Sequence, residues 1–200
     1  YLCEYSRTKA IAEKLVIEAN GVDLATVSIR PHLIWGPGDP HLVPRILAKA
    51  DKGRLMRVGM GKNKVDIIYI DNAVSAHLKA CDALEIGNTL SGKVYFVSDG
   101  DPVELWSWIN VLLMKTGRPT ISRSISYSAA LKLGHFLEGI YSFFRIKKEP
   151  PMTRFMASQL ATSHYFNIFR AKNDFGYEPV VSSEEGMKRL IQFLSVPQEY

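Results

Sequence analysis

A helical run that ends in a glycine stop and turns directly into a strand constrains this chain more than any other feature. Between Glu4 and Asn20, Ile11, Leu15 and Ala19 recur at helical spacing, with Ala12 and Val16 flanking them. Asn20-Gly21 supplies the stop, because glycine readily takes the left-handed conformation that closes a helix. The segment Thr26-Val27-Ser28-Ile29-Arg30 follows as a short strand. A helix feeding a strand with little connecting chain is the unit of an α/β fold with a parallel sheet. The strand leads into Arg30-Pro31-His32-Leu33-Ile34-Trp35-Gly36-Pro37-Gly38-Asp39-Pro40, whose prolines and glycines predict a structured loop. Ligands of open α/β sheets sit beyond the carboxyl ends of the strands, which is where this loop lies. Read alone, it is equally well explained as a rigid connector.

The remaining pattern alternates in the same way. A short helix is predicted over Leu42 to Ala50 and an edge strand over Leu55 to Val58. Gly59-Met60-Gly61-Lys62-Asn63-Lys64 reads as a hairpin turn. Val65 to Ile70 is a strong strand, and Asp71-Asn72 is expected to cap a helix over Ala73 to Leu84. Lys93 to Val97 is a strand, Val103 to Thr116 a helix, and Thr120 to Ile125 a weaker strand. Helices over Thr153 to Thr162, Ile168 to Phe175 and Glu184 to Leu194 complete the chain. Tyr127 to Phe144 is the most apolar helix, interrupted by Lys132, His135 and Glu138 and followed by Arg145, Lys147 and Lys148. Two readings fit it, a helix packed in a substrate lobe and one resting on a membrane interface. Its modest polar face favours packing.

Charge and cysteine usage exclude several functions. The net charge of +5 is scattered over the chain, and Arg54, Arg57, Lys62 and Lys64 read as a solvated turn. Without interleaved aromatic and basic residues, no nucleic-acid surface is predicted. Cys3 and Cys81 have no ligand spacing, so neither a metal site nor a disulfide framework is expected, and the setting is read as cytoplasmic. The start, Tyr1-Leu2-Cys3-Glu4, lacks the charged-then-apolar layout of a signal peptide and reads as the interior of a longer protein.

On the first helix, Tyr5 and Lys9 share a face, being four residues apart. A tyrosine hydroxyl ordinarily titrates near pH 10. An adjacent ammonium favours the phenolate and makes the tyrosine a usable general acid/base. The same spacing also arises on any solvated helix face.

The ordered set of segments is more specific than any one of them. It comprises Tyr5-x-x-x-Lys9, Arg30-Pro31, Ile34-Trp35-Gly36-Pro37-Gly38-Asp39, Asp66-Ile67-Ile68-Tyr69-Ile70-Asp71-Asn72-Ala73 with Ala76-His77, Ala171 to Pro179, and Ser183-Glu184-Glu185-Gly186. Over nearly the whole chain this resembles the extended short-chain dehydrogenase/reductases, and among them the 3β-hydroxysteroid dehydrogenase/isomerase family. The resemblance implies the C-terminal part of a Rossmann-type parallel sheet plus a mostly helical substrate lobe. Residues 1–98 would hold the Rossmann part with interleaved lobe segments, and residues 99–200 the lobe. It implies NAD or NADP as cofactor, Tyr5 as catalytic acid/base, and Lys9 as the residue that binds the nicotinamide ribose and tunes Tyr5. The backbone of Pro31, His32, Leu33 and Ile34 would run past the nicotinamide, while Asp66, Tyr69 and Asn72 would be mainly structural. The family's glycine-rich phosphate loop and its Ser or Thr partner to the tyrosine would precede Tyr1.

The resemblance implies hydride transfer between NAD(P) and a secondary alcohol or ketone of an apolar, steroid-like substrate, with a homodimer through the first helix as a further expectation; peripheral membrane contact is the expectation only of the interfacial reading of Tyr127 to Phe144. A nucleotide-sugar epimerase or dehydratase of the same superfamily is the alternative. Those relatives resemble a pattern with arginine where this chain has Val65, and an apolar residue there argues against a diphosphate substrate. The remaining alternative is a non-catalytic fragment or binding module.

Overall fold

The computed structural model describes residues 3–196. The outer bounds of the expected domains, residues 1 and 200, lie outside the described residues, as do Tyr1 and Leu2. In chain order the elements begin with α1 (Glu4–Glu18), β1 (Val27–Pro31), β2 (Ile34–Trp35), α2 (Leu42–Asp51), β3 (Arg57–Val58), β4 (Lys64–Val65), β5 (Ile68–Tyr69) and α3 (Ile70–Ala83). They continue with β6 (Lys93–Val97), β7 (Val103–Glu104), α4 (Leu105–Lys115), β8 (Ser124–Ile125), α5 (Tyr127–Phe143), α6 (Arg154–Ala161), α7 (Phe169–Phe175) and α8 (Ser183–Ser195). They gather into two compact units. One is drawn from Glu4–Arg45, Asp66–Pro102 and the chain from Tyr165 onward, the other from Ile46–Val65 and Val103–His164.

In the first unit, β1 and β6 pair in parallel, from Val27 opposite Lys93 to Pro31 opposite Val97. β2 and β5 form a second parallel pair. These parallel strands with helices between them are the α/β architecture that the helix-to-strand pattern predicts. Ala73, Ala76 and Ala80 lie buried along α3 beside Ile68, Tyr95 and Val97, so alanine methyls set how closely the helix approaches the strands. Phe175 of α7 meets Tyr95 edge-on, with ring centres 5.2 Å apart. Trp35 and Tyr69 are buried edge-on at 5.2 Å. α8 reaches them at Gly186, where a Cβ would lie 2.7 Å from the Tyr69 ring.

The second unit pairs β3 with β8 in parallel and β4 with β7 antiparallel. α4 buries Leu105, Trp106, Trp108, Ile109, Leu112 and Leu113, and the Trp106 indole N–H donates to the Leu160 carbonyl at 3.0 Å. Ser126 caps α5 by accepting from the Ala129 N–H, and Thr153 caps α6 by accepting from the Met156 N–H. The two helices close at Gly134, where a Cβ would stand 2.6 Å from the Thr153 carbonyl carbon. Glu138 of α5 fixes the same contact, accepting from the Arg154 N–H at 2.8 Å and pairing with its guanidinium.

Several expectations change. Gly59 to Lys64 is not a hairpin turn, because β3 and β4 find different partners. The strand expected over Val65 to Ile70 divides into β4 and β5, while the buried Asp66 carboxylate between them accepts from the Phe166 N–H at 2.8 Å. Asp71-Asn72 does not cap α3. Tyr69 holds the cap position without a side-chain bond, and Asn72 turns its amide elsewhere. The packing expected for α5 holds for only one side: Ala130 and Gly134 are buried, while Phe136, Phe143 and Phe144 are exposed.

Candidate active site

Helix α1 has no buried residue. Its placement rests on polar tethers within the first unit. At its C-terminal end Asn20 Oδ1 accepts from the Thr26 N–H at 2.9 Å, seating that end beside the start of β1. Farther up, Glu13 accepts from Ser28 Oγ at 3.0 Å and from Arg30 Nε at 2.6 Å, and its second oxygen takes the Arg30 Nη2. The helix therefore runs alongside β1 in the opposite direction. Tyr5, eight residues before Glu13, lies about 12 Å farther along the axis at 1.5 Å per residue. That is the direction in which β1 ends.

Tyr5 and Lys9 are both exposed there, with the Lys9 ammonium 5.9 Å from the Tyr5 ring centre. The Thr8 hydroxyl turns back onto the Glu4 and Tyr5 carbonyls, each at 3.0 Å, and leaves the Tyr5–Lys9 face clear.

Pro31 to Ile34 form the turn that leaves β1 and enters β2. Leu33 holds a φ of 45°, rare for a branched side chain, and its carbonyl accepts from the Ile68 N–H at 3.3 Å. Such conformations cost about 1–3 kcal/mol and cluster where function demands them. The His32 ring stands edge-on to Phe166 at 5.4 Å. Phe166 stacks on Phe96 at 3.9 Å, and the Arg30 guanidinium lies 5.0 Å from the Phe96 ring centre. Arg30 thus connects the helix bearing Tyr5 to the aromatic bed of the Pro31–Ile34 turn.

A buried network that no sequence period reveals supports the end of β5. The Asn72 amide nitrogen donates to Asp99 at 2.7 Å and to the Val181 carbonyl at 2.8 Å, and its oxygen accepts the Val180 and Val181 N–H groups, both at 2.8 Å. Asp99 also accepts from the Tyr69 N–H at 3.0 Å. Burial pushes the Asp99 carboxyl up, against the lowering effect of the Asn72 amide and the Tyr69 N–H. The Tyr177 hydroxyl donates to the Ser98 carbonyl at 2.9 Å, and burial raises its pKa. Asp66, Tyr69 and Asn72 were legible as one motif and Tyr177 as part of another, Ala171 to Pro179, whereas Asp99 carried no signal beyond an apparent turn.

In the second unit an open groove of about 600 Å³ is lined by Gly59 to Asn63, Ser124 to Tyr127, Ala161 and Ser163. Among the described residues no cluster of His, Cys, Asp or Glu is placed to hold a metal, and no helix is long and apolar enough to cross a membrane.

The Glu13 tether gives a prediction. The Arg30 hydrogen bond, aided by Ser28, holds the Glu13 carboxyl below its ordinary value of 4.5. A depressed acid contributes stability that is complete above the unfolded value and is lost as pH falls through the lower folded one. Glu13→Gln should therefore speed hydrogen exchange in α1 about fivefold at neutral pH, the scale of a partly exposed ion pair. Native and variant rates, corrected for intrinsic exchange, should converge in acid, once pH has fallen through the lowered folded value. Identical rates at neutral pH would show that the tether does not hold the helix.

Residues 2–126 match the model of the 3-beta hydroxysteroid dehydrogenase/isomerase family. The 2-alkyl-3-oxoalkanoate reductase of Stenotrophomonas maltophilia is 49% identical over 93% of this chain and 56% of its own length. The decarboxylating sterol-4-alpha-carboxylate 3-dehydrogenase of Mus musculus is 31% identical over 94% of this chain and 53% of its own. Among solved structures, the dTDP-glucose 4,6-dehydratase of Streptomyces venezuelae superposes with a TM-score of 0.65 at 16% identity, covering 94% of this chain and 50% of that one. That likeness shows a shared fold of the Rossmann type. The chain spans about half the length of the curated relatives it matches.

Proposed function

The chain belongs to the 3-beta hydroxysteroid dehydrogenase/isomerase family, and from that we propose that the full-length protein is an NAD(P)-dependent oxidoreductase acting on a secondary alcohol or ketone within an apolar substrate. The observation that carries this reading is the shared location of two features. The exposed Tyr5–Lys9 face extends toward the end of β1, and the strained turn from Pro31 to Ile34 leaves that same end. Exposed hydroxyl and ammonium donors beside a turn with fixed backbone groups suit the ribose and carboxamide of a nicotinamide nucleotide. The bound nicotinamide would supply hydride exchange with the carbinol carbon. Tyr5 would take the hydroxyl proton as the alcohol is oxidised, or return it to the carbonyl oxygen on reduction. Lys9 would hold the ribose. The first unit would then carry the nicotinamide end of the cofactor.

The names of the two relatives narrow the substrate. A 2-alkyl-3-oxoalkanoate and a sterol 4-carboxylate oxygenated at carbon 3 have one arrangement in common. An oxygen-bearing carbon lies one atom beyond the branched carbon that carries a carboxylate, with hydrocarbon on both sides. We infer that the substrate is such a branched 3-hydroxy or 3-oxo carboxylate. Val65 is fully buried, which supports a substrate without a diphosphate to neutralise at that position.

The test uses the full-length protein with NAD+ or NADP+, following the absorbance of the reduced nicotinamide. A 2-alkyl-3-hydroxyalkanoate should be oxidised, and its methyl ester should show a kcat/KM lower by about 10–100-fold, the scale of one lost hydrogen bond to a charged group. Epimerisation of a UDP-hexose, or equal rates for acid and ester, would overturn the substrate assignment.

A further inference from the structure

We propose that the His32 imidazole holds the carboxylate of the substrate and sets the preference for an acid over its ester, a reading that rests on the branched carboxylate inferred above. Strand alternation places the ring. Ser28 and Arg30 both donate to Glu13 of α1, so the even positions of β1 face that helix. His32 is the next even position, and its ring contacts agree. It stands edge-on to Phe166, which stacks on Phe96, and Phe96 is the register partner of Arg30 and lies beside its guanidinium. Extended backbone advances about 3.3 Å per residue, so His32 lies roughly 7 Å beyond Arg30 toward the carboxyl end of the strand. Lys9 stands four residues before Glu13, about 6 Å along the antiparallel helix at 1.5 Å per residue. His32 is therefore level with Lys9 and about one helical turn short of Tyr5.

The inferred substrate carries its carboxylate on the carbon next to the carbinol carbon. With the carbinol oxygen at Tyr5, that carboxylate has to be met within a turn of the helix, by a donor on the same face. The cations of α1 and β1 divide by their partners. Arg7 pairs with Glu4, Lys14 with Glu18 and Arg30 with Glu13, and Lys9 serves the ribose in the proposed site. His32 brings a ring N–H, and an imidazole carries at least one such donor in either protonation state. Glu13, the acid that α1 turns toward β1, is compensated by Arg30 and does not oppose a second carboxylate there. The ring is half-buried against Phe166, and the backbone after it is set by Leu33 at a φ of 45°. A donor fixed before the substrate arrives loses little freedom on binding. An ester in the same place would offer that donor no charge.

Steady-state kinetics of the full-length protein provide the test, with a 2-alkyl-3-hydroxyalkanoate and its methyl ester as paired substrates. His32→Phe keeps an aromatic ring beside Phe166 and removes both ring nitrogens. It should lower kcat/KM for the acid by about tenfold or more beyond any change for the ester, the scale of a lost hydrogen bond to a charged group. His32→Leu removes donor and ring together and should show the same selective loss, so the readout does not depend on one variant folding. His32→Gln returns an N–H donor and should recover part of the preference for the acid. Donor-free variants that keep the native acid-to-ester ratio would overturn the proposal and leave the substrate class intact. Equal losses on acid and ester would also overturn it, since they mark a side chain that only supports the turn. A native protein with no preference for the acid would overturn the proposal and the substrate class together.

Discussion

Replacing Tyr5 by Phe in the full-length protein is expected to lower kcat by about 10²–10⁴-fold, the usual contribution of a positioned acid/base. KM and cofactor affinity should stay near native values. The substitution removes one oxygen from a ring that is already exposed, so neither packing nor folding should change. The Lys9 ammonium would keep its place beside the ring face. Lys9→Met should behave differently, weakening cofactor binding and rate together, because one side chain would serve ribose and phenol. Steady-state kinetics with both variants separates the roles. A Tyr5→Phe protein that turns over at the native rate would remove Tyr5 from the chemistry and leave the exposed face of α1 as an ordinary solvated surface.

The largest effect on stability is expected at Asn72. Asn72→Ala strips four hydrogen bonds from a fully buried position. It leaves the Val180 and Val181 N–H groups and the Val181 carbonyl without that partner, and each buried orphan costs about 1–3 kcal/mol. Because the losses share one site and do not add fully, the net cost should be about 3–5 kcal/mol. That is a large share of the 5–15 kcal/mol that holds a typical domain, and it should lower Tm by at least about 6 °C. Asn72→Asp offers a sharper diagnostic. It retains two acceptors for Val180 and Val181 but sets a second carboxylate against Asp99. Burial already holds the Asp99 pKa above 3.8, so its ionisation costs stability as pH rises from that value. A second carboxylate should steepen the loss. The Asp variant should therefore approach the native melting temperature only in acid, whereas the Ala variant should be depressed throughout. Equal depression of both at every pH would show that Asp99 does not feel residue 72.

What the sequence revealed was what a single element can reveal. Helix α1 and strands β1 and β6 were legible because their periods are local and their stops, such as Asn20-Gly21, act on neighbouring residues. Two-residue strands such as β2 and β5 have no period to detect, and the divided segment after Lys64 reads as one strand because both halves are equally apolar. The partners of Asn72 stand 27 and 109 positions away, so only the fold could bring them together. Tyr5 and Lys9 were visible as a spacing but acquired meaning from the order of the segments that follow them. The side of α5 that would be buried was not legible at all, because bulky apolar residues such as Leu131, Leu137, Ile140 and Phe143 are spread around much of its circumference. The choice was made by Gly134, whose lack of a side chain lets α6 approach.

The contact at Gly134 separates two kinds of sequence change. Across it the helices meet backbone to backbone, so even one added methyl group must push them apart. On the far side of α5 the rings touch little of their own protein, and substitutions there carry almost no folding penalty. A lineage can therefore rewrite that outer strip, from greasy to charged, while the contact of small atoms beneath it stays fixed.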